Sequence, residues 1–195
     1  MPCFLIICSL FLNSLSPNLS FTNLHISNLL IPAPIKILFL PKYPKQGASS
    51  RLRTYQFSSA LEKEGVEFEI HSFFNERYLK QIYSGLNPGK WNVFKCYFKR
   101  LSLLFRVKKF QLIWIEKEIF PFLPSYAEWI LNKLGIPYVV DYDDAVFHNY
   151  DQHGAWLVRA WMHNKIDWVM RHSALVTAGN FYLLNRAIQA GAKQT

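Results

Sequence analysis

Cysteine and acidic residues are both scarce in this chain of 195 residues. The three cysteines, Cys3, Cys8 and Cys96, form neither an even disulfide framework nor the spacing of a metal site, which predicts a reduced, cytoplasmic protein. No Gly-x-Gly-x-x-Gly sequence follows the first predicted strand, which argues against a dinucleotide-binding oxidoreductase. Only 13 acidic residues oppose 22 basic ones, and the net charge of +9 predicts an affinity for anions.

The first 35 residues lack Lys, Arg, Asp and Glu altogether, and Lys36 is the first charged residue. The apolar run over residues 3–12 is shorter than the roughly 20 residues that span a bilayer, and no basic segment precedes it as in a secretory signal. We expect residues 1–35 to be a disordered or misannotated extension, with a weak signal or membrane anchor as the alternative. The fold is therefore predicted from residues 36–195.

Short apolar runs at regular intervals predict the strands. Residues 37–40 are continuously apolar, as in a strand that is buried on both faces, whereas residues 66–71 alternate and indicate a strand near a sheet edge. Further strands are predicted at residues 111–115, 137–140 and 174–177. Because helical segments separate all of them, we predict an α/β fold, a Rossmann-like parallel sheet with helices on both faces.

Helical periodicity fills the segments between these strands. A helix opened by Ser49 or Ser50 is predicted to run to Glu64 and to end at Gly65. Further helices are predicted over residues 76–84 and 91–108, along the stripe Tyr126, Trp129, Ile130 and Leu134, in one helix carrying Val158, Met162, Ile166 and Val169, and after the capping residue Asn180.

The loop after the first strand is longer than packing requires, which indicates a function. Gly47 would let a backbone approach a ligand closely, and the following helix N-terminus would offer free N–H groups to an anion. Arg53 lies one turn before Phe57, and its guanidinium is expected to point toward the cleft at the sheet edge. The alternative is a solvated loop whose serines only cap a helix.

Three carboxylates crowd the end of the fourth predicted strand, at Asp141, Asp143 and Asp144. Like charges this close together do not favour folding, so the cluster predicts binding of hydroxyls, a metal or proton transfer. Asp141 and Asp143 also have the Asp-x-Asp spacing of a Mn²⁺ or Mg²⁺ site. His148 is a candidate base. The alternative is a solvated turn in which one Asp caps the next helix.

Two other strand ends carry weaker signals. The charged residues Glu116, Lys117 and Glu118 are adequately explained by salt bridges within their own loop. Gly179 and Asn180 suit the close approach of a ligand, although capping of the last helix would explain them equally well.

The segment from Lys90 to Lys109 holds seven basic residues and no acid. With its aromatic stripe it is typical of a basic amphipathic helix that binds an anionic membrane surface. Alternatively, the aromatic side chains face the domain core and the basic residues form a solvated face, which is the prediction we favour for the aromatics. The stripe consists of Trp91, Phe94, Phe98, Leu101 and Phe105.

Three stretches resemble the N-terminal domain of family 4 retaining glycosyltransferases of the GT-B fold. They are KILFLPKYPKQGASSRLRTYQFSSALEKEGVEFEI, PYVVDYDDAVFH and SALVTAGNFYLLNRAIQAGA, and the Gly-Ala-Ser-Ser-Arg-Leu-Arg run of the first is the most specific. The resemblance covers residues 36–194, and the chain looks like a bacterial branch of the family that acts on envelope or capsular polysaccharide precursors. It implies the N-terminal half of a GT-B fold, cytoplasmic or peripheral on the inner face of the membrane.

The resemblance also implies roles for individual residues. Asp143, Asp144 and His148 would line the acceptor side, with Asp143 and His148 as the catalytic candidates. No metal or other cofactor is implied; the partners are a nucleotide-sugar donor and a glycan or lipid-linked acceptor, not nucleic acid. The remaining donor-phosphate or acceptor-binding residues implied by the resemblance would be Gly47, Ser49, Ser50, Arg51 and Arg53. Their positions at strand ends add Asp141, Gly179 and Asn180 to the predicted binding residues.

The family's paired glutamates, in an E-x7-E motif, lie in a C-terminal domain. No E-x7-E spacing occurs in this sequence, and we expect that domain to be missing. We therefore expect a fragment that cannot transfer sugar alone. Two alternatives remain open. One is a metal-dependent GT-A transferase using Asp141 and Asp143, and the other is a non-catalytic Rossmann-like module that docks on acidic membranes.

Overall fold

The computed structural model describes residues 35–195, so the prediction for residues 1–35 lies outside it except at Ile35. Five strands form one sheet in this range, and all adjacent strands are parallel. The predicted α/β fold with a parallel sheet is thereby confirmed. The strands are β1 Lys36–Leu40, β2 Glu67–Ile70, β3 Leu112–Glu116, β4 Tyr138–Tyr142 and β5 Leu175–Ala178.

Helices connect these strands, and none of those within residues 35–195 is long and apolar enough to cross a bilayer. Short 3₁₀ turns at Tyr55–Phe57 and Val107–Lys109 supplement them. The helices are α1 Ala48–Arg53, α2 Ser58–Lys63, α3 Glu76–Tyr83, α4 Lys90–Leu104, α5 Tyr126–Lys133, α6 His148–Asp151, α7 Trp156–Met162, α8 Lys165–His172 and α9 Phe181–Ala190.

In the strand order β2-β1-β3-β4-β5, the most deeply buried strands, β1, β3 and β4, lie in the centre of the sheet. Every residue of β3 and β4 is buried, as expected of strands covered on both faces, whereas the edge strand β2 is partly exposed, as predicted. The order reverses direction between β1 and β3. Right-handed crossovers therefore put α1 and α2 on one face of the sheet, and α4, α5 and α8 on the other.

Two predicted helices are each broken in two. The helix predicted from Ser49 or Ser50 to Glu64 is interrupted at Thr54, whose φ of −129° and ψ of −63° leave the helical region. This break redirects the chain between Arg53, which contacts β4, and the buried Leu61. The helix predicted through residues 158–169 divides at residues 163–164. α8 has four buried residues, whereas α7 packs only the partly buried Val158 and Met162 against the core.

The aromatic stripe of α4 does not face the core, and the prediction that it would is wrong. Its five side chains are exposed, whereas Cys96, Arg100 and Leu103 form the buried face. Arg100 explains this rotation of the helix. Its Nη2 donates hydrogen bonds to the carbonyl oxygens of His71 (2.9 Å) and Pro41 (3.2 Å), which follow β2 and β1, and burial lowers its pKa to about 9. These directional bonds fix which side of α4 faces the sheet.

Candidate functional site

The polar side chains at the carboxyl ends of β1, β3, β4 and β5 form two adjacent hydrogen-bonded clusters. One joins Ser49, Ser50 and Lys117 to the carboxylates of Glu116, Asp143 and Asp144, and the other joins Arg53 and Thr177 to Asp141. In parallel sheets ligands bind at this edge, at the point where the strand order reverses, which here lies between β1 and β3. The register places Glu116, Asp141 and Thr177 side by side on β3, β4 and β5. We call the polar residues linked at this edge the rim network; they are Ser49, Ser50, Arg53, Glu116, Lys117, Asp141, Asp143, Asp144 and Thr177.

Ser49 and Ser50 connect α1 to the neighbouring strands instead of capping the helix. The cap position is Gly47, which has no side-chain hydrogen bond, so the predicted N-cap role of the serines is wrong. Ser50 Oγ donates to Glu116 Oε2 at 2.6 Å. Ser49 Oγ lies 3.0 Å from Glu116 Oε1 and 2.5 Å from Asp143 Oδ2, and its single proton can serve one of these carboxylates at a time.

Glu116 is the buried centre of the rim network. It is 1% exposed, and besides the serines its Oε2 accepts a hydrogen bond from the backbone N–H of Lys42 at 3.2 Å. Burial raises the pKa of the Glu116 carboxyl because the ionised form loses hydration. Lys42 lies in the loop after β1, and its pKa is lowered by burial and by the nearby charge of Lys117.

Lys117 joins β3 to the aspartates that follow β4. Its Nζ pairs with Asp143 Oδ1 at 2.9 Å and with Asp144, although the prediction placed such salt bridges within the loop of residues 116–118. Its φ of 71° lies in the left-handed region that disfavours a side chain. Burial lowers the pKa of Lys117, but its contacts with Asp144 and Asp143 outweigh that effect and raise it.

Arg53 and Asp141 form a two-pronged ion pair. Arg53 Nε donates to one carboxylate oxygen at 2.5 Å and Nη2 donates to the other, while Thr177 Oγ1 donates to Asp141 Oδ1 at 2.5 Å. The hydrogen bond to Asp141 raises the pKa of Arg53. Gly179 borders this pair: a Cβ on it would lie 3.3 Å from the carbonyl oxygen of Tyr142 and 3.7 Å from Arg53 Nη1. The structure therefore brings Gly179 to the rim.

Four predicted site residues lie outside the rim network. A Cβ on Gly47 would lie 2.5 Å from Tyr43 Cβ, so the packing of the loop itself requires this glycine. Asn180 caps α9 by accepting a hydrogen bond from the N–H of Leu183. Arg51 is exposed and makes no side-chain hydrogen bond or ion pair within residues 35–195. His148 instead contacts Asp151 and the hydroxyl of Tyr182, both at 2.9 Å.

The predicted site did not include Glu116, Lys117, Lys42 or Thr177. Glu116 carried a usable signal, because the apolar strand β3 ends there in a charge, and β4 likewise carries Asp141 next to its last residue. Lys42 and Thr177 carried no signal in the local sequence pattern. Only the strand register brings Thr177 opposite Asp141.

The carboxylates of the rim are engaged by different cations. Asp141 pairs with Arg53, whereas Asp143 pairs with Lys117. Across residues 35–195, no group of three or more His, Cys, Asp or Glu side chains is arranged to hold a metal ion. Asp141 and Asp143 are therefore each paired with a cation of the chain itself.

Asp143 is expected to make the free energy of unfolding depend on pH in the acidic range. Burial raises its pKa, but the hydrogen bond from Ser49 and the contact with Lys117 outweigh this and lower it. Ionised Asp143 therefore stabilises the fold above its unfolded pKa of about 3.9, and this is lost as pH falls through the lower folded value. Asp143→Asn should cost about 1–3 kcal/mol at pH 7 and less as the pH falls below about 3.9, measured by urea unfolding.

The exposed Glu62 on α2 provides the matched control, and Glu62→Gln should change stability by less than about 0.5 kcal/mol both at pH 7 and in acid. An equal cost of Asp143→Asn at pH 7 and in acid would contradict the ionic role of this side chain.

Neither a protein-family model nor a curated protein matches this sequence. The resemblance to family 4 glycosyltransferases accordingly stays a prediction, and function is inferred from the rim network.

Proposed function

We propose that this chain is the N-terminal, acceptor-side domain of a retaining glycosyltransferase. In this proposal the rim is one wall of a cleft in which a sugar passes from a nucleotide-sugar donor to a glycan or lipid-linked acceptor. The observation that supports it best is the rim network itself, whose two clusters lie at four strand exits around the reversal of the strand order. A second domain would supply the nucleotide pocket.

The chemistry of the rim suits a sugar. Sugar hydroxyls both donate and accept hydrogen bonds, and carboxylates alternate with cations and hydroxyls along this edge. Asp143 is only partly buried, and it accepts a hydrogen bond from Ser49. An acceptor hydroxyl could replace Ser49 there, because Ser49 has Glu116 as a second partner.

Cations at the same edge suit the diphosphate of a nucleotide-sugar. Lys42 is partly buried beside Lys117, and its ammonium makes no ion pair with residues of the described range. Glu118, Glu116 and Asp144 also act on this ammonium electrostatically, and a phosphate oxygen near Lys42 would give it a direct ion pair. Fixed cations on a leaving diphosphate stabilise its developing charge in the transition state.

Binding of the substrates tests the proposal without requiring transfer. Saturation-transfer NMR on the full chain would screen common nucleotide-sugars and short glycans, each with and without EDTA. We expect a ligand that binds regardless of EDTA and whose affinity falls about fivefold or more in Asp143→Asn or Lys42→Ala, the loss of one hydrogen bond or ion contact. Lys63→Ala, at the opposite edge of the sheet, is the control and should bind like the parent.

Two results would overturn this proposal. If no sugar compound binds, the rim is not a sugar-binding site. Binding that requires Mn²⁺ and is lost in EDTA would favour the metal-dependent transferase that uses Asp141 and Asp143.

A further inference from the structure

An exposed apolar surface extends over α4 and the neighbouring helix α5. We call it the aromatic face. A groove of about 350 Å³ runs through it between the two helices, with Phe98, Leu101, Leu123 and Ile130 in its walls. Soluble monomers rarely expose so large a contiguous apolar patch without a binding role. The aromatic face comprises Trp91, Phe94, Phe98, Leu101, Phe105, Tyr126, Trp129 and Ile130, which are 37% to 85% exposed.

Lysines border the aromatic face on both helices. Lys95 Nζ lies 5.8 Å from the centre of the Trp91 ring, and Lys133 Nζ lies 5.7 Å from that of Trp129. Lys90 and Lys99 are also exposed on α4. No acidic residue occurs in the sequence between Glu76 and Glu116. All the charged side chains of α4 that border its apolar residues are therefore basic.

We infer that the aromatic face docks on the surface of an anionic lipid bilayer. Trp and Tyr rings favour the level of the lipid headgroups, and lysines beside them can extend toward the phosphates while their alkyl chains cover apolar surface. The groove between α4 and α5 accepts part of an acyl chain. Helices with this composition lie in the plane of the interface.

The charge of the aromatic face favours a bilayer over two occupants that the chain itself could provide, residues 1–35 and a second copy. Residues 1–35 are apolar enough to cover the rings, but they carry no charge that could pair with the lysines. A second copy of the chain would oppose lysine to lysine. An anionic bilayer can contact the apolar side chains with its lipid chains and pair with the lysines through its headgroup phosphates. This inference does not depend on the transferase proposal, because the aromatic face contains no residue of the rim network.

Vesicle sedimentation tests the charge requirement. The full chain is mixed with vesicles of phosphatidylcholine alone or with 30% phosphatidylglycerol, and we expect binding only to the second kind, weakened by salt. Lys95→Glu/Lys99→Glu should weaken binding at least about 25-fold, since each lysine near such a surface contributes about fivefold. Lys63→Glu/Lys193→Glu changes the net charge equally at exposed sites elsewhere and should bind like the parent.

Depth-dependent quenching by brominated lipids tests the apolar contact. Trp91 fluorescence should be quenched in vesicles, so Trp91→Phe should lose a quenchable component that Trp161→Phe, on the exposed α7, retains. Phe94→Ser/Phe98→Ser should reduce binding to background. All the changed side chains are exposed, so thermal unfolding should match the parent and a folding defect would be recognised.

Three outcomes would overturn the inference. They are equal binding to neutral and anionic vesicles, equal loss in the two lysine variants, and a dimer in light scattering that Phe94→Ser/Phe98→Ser abolishes. The last would identify a second copy as the occupant.

Discussion

Lys165→Met is expected to lower the free energy of unfolding by about 3–5 kcal/mol, a large part of the 5–15 kcal/mol typical of a domain. Lys165 lies on α8, and its Nζ pairs with Glu118 in the loop after β3 and donates to the carbonyl oxygen of Phe120 at 2.7 Å. The two charged side chains are only 2% and 6% exposed. Removing the ammonium leaves Glu118 buried without its cation. Urea unfolding at pH 7 would measure the change.

Tyr150→Phe provides the matched comparison at the same site. The Tyr150 hydroxyl donates to Glu118 Oε2 at 2.6 Å, so its removal deletes a neutral partner of the same carboxylate. We expect a smaller cost of about 1–2 kcal/mol. If the two variants unfolded at the same urea concentration, the charge of Lys165 would not be the stabilising element.

Arg53→Met is expected to destabilise the domain by about 3 kcal/mol. Asp141 is 4% exposed and would keep only Thr177 as a side-chain hydrogen-bond donor. Because the pair joins α1 to β4 across 88 residues, its loss should also loosen the loop that carries Ser49. Thermal or urea unfolding measures the first effect, and amide hydrogen exchange of residues 42–53 measures the second.

Arg51 is the natural control for this prediction, because it lies on the same helix and is exposed. Arg51→Met should change stability by less than about 0.5 kcal/mol. Arg53→Lys keeps the charge but cannot form both hydrogen bonds, so it should recover only part of the loss. Equal stability of the Met variants at positions 51 and 53 would show that the ion pair with Asp141 contributes nothing.

Local patterns predicted most of the fold correctly because their causes are local. The apolar run of β1 and the alternation in β2 predicted a buried and an edge strand, and both predictions are confirmed. Gly65 and Gly191 adopt the positive φ that ends a helix, and Asn180 caps α9 as predicted. Each of these signals depends on neighbours within a few residues, which a single sequence displays in full.

The candidate site was predicted only in part. Ser49, Arg53, Asp141 and Asp143 were identified from the loops that carry them, and the structure brings them together. Their partners were not identified, since the hydrogen bonds of the rim join residues 27 to 94 positions apart. Glu116 was assigned to a salt bridge in its own loop because its partner Ser50 lies 66 residues away.

The sequence by itself determined the parallel α/β architecture, the charge of the chain and which strand ends carry polar residues, because these follow from local periodicity and composition. Tertiary structure alone decided how each helix is rotated and which polar groups meet. The aromatic stripe of α4 has the spacing of a buried face, yet the hydrogen bonds of Arg100 to the exits of β1 and β2 turn it outward. Periodicity identifies a face of a helix, but only contacts with the sheet determine which face is buried.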